Sequence, residues 1–284
     1  MRSSTELVRF AAVVLFAAAV GLSAGCNPIS RVDLGTDLRG SQHGRVYYVG
    51  GAGTFGNVGM IDVPKGLRRA GWRGSVEVFK WQSTLGGTVR DQIDHERNRE
   101  KARELAREIV SYARRYPGRP VHIVALSAGT GIATWALESL PDGVDVENVV
   151  FLASSLSRSY NLTSALRRVK RRVYNFYSPD DPVLRYALPI TGSVDREHEL
   201  LGSPAVAGLL GFELRDVSSE RARMLYDARV QNMPYRKKYR EYGYRGNHTD
   251  VTSADFIEHV VAPLIIKQRH VATSVPPADG GGSR

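Results

Sequence analysis

The sequence predicts an α/β domain: a doubly wound, mostly parallel sheet with helices on both faces. Three observations carry this. Short β-branched runs alternate with helical patterns along the middle of the chain; one of them, VHIVAL at 121–126, is apolar enough for a strand covered on both sides; and residues 94–116 form a long stripe-faced helix of the kind that covers a sheet.

Order is expected from about Arg45. Val46, Tyr47, Tyr48 and Val49 read as the first strand, which runs into the glycine-rich stretch GGAGTFGN. A helix around 60–70 leads to a second strand carrying Val76, Val78, Phe79 and Trp81. In the helix over 94–116, Ala102, Leu105, Ala106, Ile109, Val110 and Ala113 share one face and the other faces are charged. The strand at 121–126 is followed by a helix in which Ile132, Ala133, Ala136, Leu137 and Leu140 recur at helical spacing, ended by Pro141 and Gly143. Further strands are expected at 149–153 and 172–177, with a short basic helix near 162–169 between them. From 182 to 246 the pattern weakens apart from SPAVAGLLGF and a polar helix around 219–230, so a pocket-lining or lid-like insertion is expected there. Residues 255–266 form a closing amphipathic helix, and 271–284 have a disordered composition. The domain is therefore read as 45–270.

Ser127 stands where the central strand turns sharply into a helix. Such a reversal forces the residue at the bend into a strained backbone conformation, which is tolerable when its neighbours are small, as Ala125 and Gly129 are. The hydroxyl then sits at a helix N-terminus, where free N–H groups and the macrodipole favour developing negative charge, and the N–H of Ala128 is placed to serve an oxyanion. The competing reading is a plain N-cap serine.

The run ALSAG has the small-x-Ser-x-small form and resembles the nucleophile turn of the α/β-hydrolase superfamily, in its serine esterase and lipase branch, with Ala125 where glycine is usual. That resemblance covers roughly residues 45–266 and implies a Ser–His–Asp triad in the order serine, acid, histidine. It points to SPDDPVL for the acid, with Asp181 the better match and Asp180 the competitor. It points to His248 in YGYRGNHTD for the base, with His198 in DREHE as the alternate; His259 and His270 fall within or beyond the closing helix, and His43, His95 and His122 precede the serine. The stretch VGGAGTFGN resembles the superfamily's oxyanion loop, so the N–H of Gly51 or Ala52 would join that of Ala128. The implied activity is a carboxylic ester hydrolase working through an acyl-enzyme on a small-molecule or lipid ester; an amidase, thioesterase or acyltransferase would use the same parts. The alternative from another class is a non-catalytic envelope binding protein on this scaffold.

No HExxH-type spacing supports a metal site, GxxxxGK[ST] is absent, and no cofactor is expected. Residues 1–26 have the layout of an export signal: Arg2 and Arg9, an apolar stretch, then LSAGC. The end resembles a bacterial lipoprotein signal, in which Cys26 would carry lipid and 27–44 would form a tether; ordinary secretion and an uncleaved anchor are the alternatives. Cys26 is the only cysteine, so no intramolecular disulfide can form and the core must hold the fold. The net charge of +10 and pI near 9.8, with clusters at Arg167, Arg168, Lys170, Arg171 and Arg172 and at Arg236, Lys237, Lys238 and Arg240, favour an anionic membrane surface. Nucleic acid is not expected for an exported chain without a recognisable binding module. Tyrosines 235, 239, 242 and 244 interleave with the second cluster and read as packing or pocket-rim residues, with stacking on a ligand the alternative. Oligomeric state is not legible.

Overall fold

The computed structural model describes residues 35–83, 87–186, 188, 192–195, 205–213 and 219–266. Among them six strands form one sheet: β1 (Arg45–Val49), β2 (Ser75–Phe79), β3 (Val121–Leu126), β4 (Val146–Leu152), β5 (Val169–Tyr177) and β6 (Val230–Pro234). All neighbours are parallel, in the order β2-β1-β3-β4-β5-β6. The chain thus starts in the interior at β1, steps outward to β2, and returns past β1 to build the other side from β3. That reversal leaves a crevice beyond the C-terminal ends of β1 and β3, where sheets of this type place their chemistry.

Side chains alternate along the strands and feed two cores. Val46, Tyr48, Val124, Leu126, Val150, Leu152 and Phe176 pack under α1 (Asp62–Arg69) and the closing helical segment, through Val63, Leu67, Phe256, Ile257, Val261 and Ala262. Tyr47, Val49, Ile123, Ala125, Val149, Phe151 and Val173 face the other way. They meet two helices of the opposite layer, numbered after the short α2 (Gly87–Ile93): α3 (His95–Arg115) and α4 (Gly129–Glu138). The expected stripe of α3 is buried at Ala102, Leu105, Ala106 and Ile109, while Val110 and Ala113 lie at its half-buried edge. Asp94 caps the helix, its side chain accepting the Arg97 N–H at 3.3 Å.

Beyond β5 the chain forms α6 (Pro182–Tyr186), α7 (Ala207–Leu210) and α8 (Glu220–Arg229), the short α5 (Thr163–Leu166) preceding β5. The closing segment, expected as one helix, is α9 (Ala254–Phe256), a π turn (Ile257–Val261) and α10 (Ala262–Ile266). Within the weakly patterned stretch 182–246, residues 230–234 belong to the sheet as β6, a strand the sequence reading did not anticipate. The physical reason is its edge position: VQNMP buries none of its five side chains fully, so no alternation marks it. Asn232 secures it, its Oδ1 accepting the Phe212 N–H and its Nδ2 donating to the Phe212 carbonyl, both at 2.9 Å.

The tyrosine-rich stretch packs as expected. Tyr239 and Tyr244 are buried with Phe176 and Phe256, the Tyr244 and Phe256 rings 4.8 Å apart. The basic cluster at 167–172 is partly answered on the surface, with Arg168 paired to Asp142, and Lys170 and Arg171 to Glu147.

Glu108 on α3 makes the fold sensitive to pH. Burial, reinforced by Glu77 and Glu104 and opposed by Arg45 and Lys101, pushes its carboxyl from the ordinary 4.5 up to about 7. Between these values the folded chain holds a proton that the unfolded chain releases. Stability from this group is therefore full below pH 4.5 and lost as pH rises through 7. Because the side chain is only half-buried, solvent screening leaves on the order of 1 kcal/mol. Urea denaturation at pH 5 and pH 8 should show that difference in the wild type and a smaller one in Glu108→Gln.

Candidate active site

Every residue of β3 is buried, and the chain leaves it at Ser127 with φ 53°, in the left-handed region that non-glycine residues rarely occupy. The turn is held by Ser127 N–H donating to the Leu152 carbonyl at 2.9 Å, and by the Ser127 carbonyl accepting from the N–H and hydroxyl of Thr130 at 3.0 and 2.6 Å. Gly129 explains why the neighbour must be small: a Cβ there would lie 2.3 Å from the Gly50 carbonyl oxygen and 2.5 Å from that of Val49. The left-handed serine costs roughly 1–2 kcal/mol that glycine would not incur. Ser127→Gly should accordingly be more stable than Ser127→Ala by about 1 kcal/mol in chemical denaturation.

Asp181 and His248 meet in the interior. Asp181 precedes α6, where its Oδ1 accepts the N–H groups of Val183 and Leu184 at 2.9 and 3.1 Å. Its Oδ2 lies 2.8 Å from His248 Nδ1, and both residues are 1% exposed. A carboxylate on that side keeps the proton on Nδ1 and leaves Nε2 as the basic nitrogen. Asp180 is exposed, whereas Asp181 is the buried one that meets His248. Among the described residues, His248 Nε2 is buried and has no hydrogen-bond partner.

The nucleophile candidate approaches this pair through Gly51 and Phe55. A Cβ on Gly51 would lie 3.2 Å from Ser127 Cβ and 3.0 Å from Phe55 Cβ. The Phe55 ring in turn meets His248 edge-on, with centroids 5.4 Å apart at 83°. Ser127 and Phe55 thus both flank Gly51, and Phe55 is the side chain that also meets His248; the serine hydroxyl does not hydrogen-bond Nε2. His198 and Cys26 lie outside the described residues. His259 stacks on Tyr242 at the surface, rings 4.8 Å apart, and His122 is buried in β3 against Trp72.

The loop after β1 is arranged by residues given no site role from the sequence, among them Trp81, expected in the second strand but lying beyond its end at Phe79. Trp81 Nε1 donates to the Gly50 carbonyl and Gln82 Nε2 to the Gly51 carbonyl, both at 2.8 Å. In a trans peptide the N–H of the next residue points opposite to the carbonyl. The N–H groups of Gly51 and Ala52 are thus turned away from Trp81 and Gln82. Asp91, completely buried on α2, accepts the Gly53 N–H at 2.8 Å. No spacing rule marks these three side chains, because their partners lie some 30 to 40 positions earlier and come near only when β1 and β2 pair. Ser154 and Ser155 pack beneath the turn: Ser154 Oγ lies 2.8 Å from Thr130 Oγ1, and the Ser155 N–H reaches the Ser127 carbonyl at 3.4 Å. Among the described residues, no three His, Cys, Asp or Glu side chains gather into a group that could hold a metal ion.

A six-strand parallel sheet of this order, with a left-handed serine after its central strand and a His–Asp pair on later loops, is an α/β-hydrolase-like fold. No protein-family model and no curated protein matches the chain. Among solved structures it is similar to esterase PE8, with 13% identity and a TM-score of 0.49 over 82% of this chain and 95% of that one. It is also similar to Aspergillus fumigatus lipase B, with 13% identity and a TM-score of 0.44 over 80% of this chain and 53% of that one, so the chain spans about half the lipase's length. A third is an uncharacterized protein from Bacillus cereus, with 15% identity and a TM-score of 0.41 over 70% and 57% of the two chains. The fold assignment rests on the sheet order and the turn geometry, not on these likenesses.

Proposed function

We propose that the protein is a serine hydrolase of carboxylic esters, with Ser127 as nucleophile, His248 as general base and Asp181 as the group that orients it. The observation that carries this reading is the buried Asp181–His248 pair, whose Nε2 has no hydrogen-bond partner among the described residues, together with the strained turn that presents Ser127. Burying a basic nitrogen without a hydrogen bond is costly, and a substrate-side proton donor is the natural partner. The reading requires the Ser127 hydroxyl to reach Nε2 in the substrate complex, and catalytic hydrogen bonds of this kind commonly tighten only when substrate binds.

In the forward reaction Nε2 accepts the Ser127 proton as Oγ attacks the ester carbonyl. Asp181 fixes the imidazole tautomer and stabilises the imidazolium. The N–H groups of Ala128 and of Gly51 or Ala52 receive the oxyanion, each lowering the barrier by roughly 3 kcal/mol. His248 then protonates the departing alcohol, and water activated by the same nitrogen releases the acid. We also propose that the mature protein is exported and held at the cell envelope by lipid on Cys26, which the layout of residues 1–26 supports. The net charge of +10 supports contact there with an anionic membrane surface.

A fluorophosphonate probe tests the central claim. The wild type should label, and Ser127→Ala should lose both labelling and hydrolysis of p-nitrophenyl esters, by roughly 10⁴-fold or more. A wild type that fails to label yet binds anionic vesicles would favour the envelope-binding alternative.

A further inference from the structure

We propose that Asp91 is a positioning residue for the oxyanion loop, a role that rests on the hydrolase reading above. Its carboxylate is completely buried, yet it lies outside the Ser127, Asp181 and His248 set. Three donors converge on it. Oδ2 accepts the Gly53 N–H at 2.8 Å; Oδ1 accepts the Ser83 N–H at 2.8 Å and Arg97 Nη1 at 3.3 Å. Arg97 also donates to the Trp81 carbonyl, and the Asp91 carbonyl accepts Asn98 Nδ2 at 2.6 Å.

The donors tie together two segments that are far apart in sequence. Gly53 follows β1 and ends the loop that carries Gly51 and Ala52; Ser83 follows β2 directly after Trp81 and Gln82, the side chains that hold the Gly50 and Gly51 carbonyls. One carboxylate therefore fixes both the loop and the two side chains that set its peptide orientations. Gly53 has φ 53°, in the left-handed region that glycine adopts at least cost. An oxyanion site depends on donors held in place before the reaction, since a shift of about 1 Å costs on the order of 100-fold in rate. A carboxylate suits this task because it only accepts: asparagine, in either orientation, would turn its NH₂ group toward a donor.

The test uses the full chain and the Asp91→Asn substitution, which keeps the shape. Turnover of p-nitrophenyl butyrate and the rate of fluorophosphonate labelling are measured well below the melting temperature of each protein and normalised to titrated active sites. The expected result is a kcat lower by roughly 10–100-fold, KM within about threefold, and labelling slowed in parallel. A purely structural role would lower Tm and leave kcat per titrated site within twofold, and that outcome overturns the proposal. If Asp91→Asn does not fold, Arg97→Gln removes the ionic anchor but keeps both backbone hydrogen bonds. It should lower kcat by roughly three- to tenfold with KM held, and an unchanged kcat is again fatal. Failure of the underlying reading is distinct: Ser127→Ala would then label as well as the wild type, or the wild type would not label at all, and Asp91 would have no oxyanion loop to position.

Discussion

Asp181→Asn is expected to lower kcat toward p-nitrophenyl esters by roughly 10⁴-fold, while Asp180→Asn changes it by less than about twofold. The two residues are adjacent in sequence but occupy opposite environments. Asp181 is buried, with Oδ1 fixed by two N–H groups at the start of α6 and Oδ2 facing His248 Nδ1. An amide at that position can present its NH₂ group to Nδ1, which favours the tautomer with the proton on Nε2 and removes the base. Asp180 is exposed, and the carboxylate oxygen that meets His248 Nδ1 belongs to Asp181. KM should move little in either variant, because the lost interaction belongs to the transition state. Equal activity of the two variants would remove Asp181 from the mechanism. Loss at Asp180 alone would transfer the role to its neighbour.

The second large effect concerns the scaffold. Gly129→Ala should destabilise the protein by about 3 kcal/mol, since the added methyl would sit 2.3 and 2.5 Å from two backbone oxygens that cannot swing aside as a side chain could. For a chain of this size that corresponds to a Tm lower by roughly 6–12 °C. Gly143→Ala is the control. Its φ is 83° but nothing lies within 4 Å of the added methyl, so only backbone strain of about 1 kcal/mol is expected. Differential scanning calorimetry of both variants separates close approach from conformational freedom. Because the oxygens touched by Gly129 belong to Val49 and Gly50, the same substitution should also disturb the loop carrying Gly51 and Ala52. Equal Tm losses in the two variants would mean that packing at Gly129 contributes nothing of its own.

Much of the sheet was legible because burial leaves a periodic trace. The runs that became β1 to β5 carry enough β-branched and aromatic residues to be seen directly, and α3, a helix of 21 residues, shows its stripe. β6 was not legible, since an edge strand that buries little has no pattern to betray it. Ser127 stood out because its neighbours had to be small on both sides. Asp181 and His248 were reached through resemblance, and the structure adds the distance and burial that separate Asp181 from Asp180. Nothing local marked Trp81, Gln82 or Asp91 as holding the loop after β1, because the loop groups they bind lie 31 to 38 positions earlier.

The amino-acid sequence by itself determined the class of fold, the turn that lifts Ser127 and the residues eligible to serve it, because periodicity, small neighbours and turn chemistry are properties of adjacent positions. Only the tertiary structure decided which aspartate faces His248, where Phe55 lies, and how the loop after β1 is oriented. Those are contacts between segments brought together by parallel strand pairing, and a hydrogen bond across such a distance leaves no mark on the residues next to it.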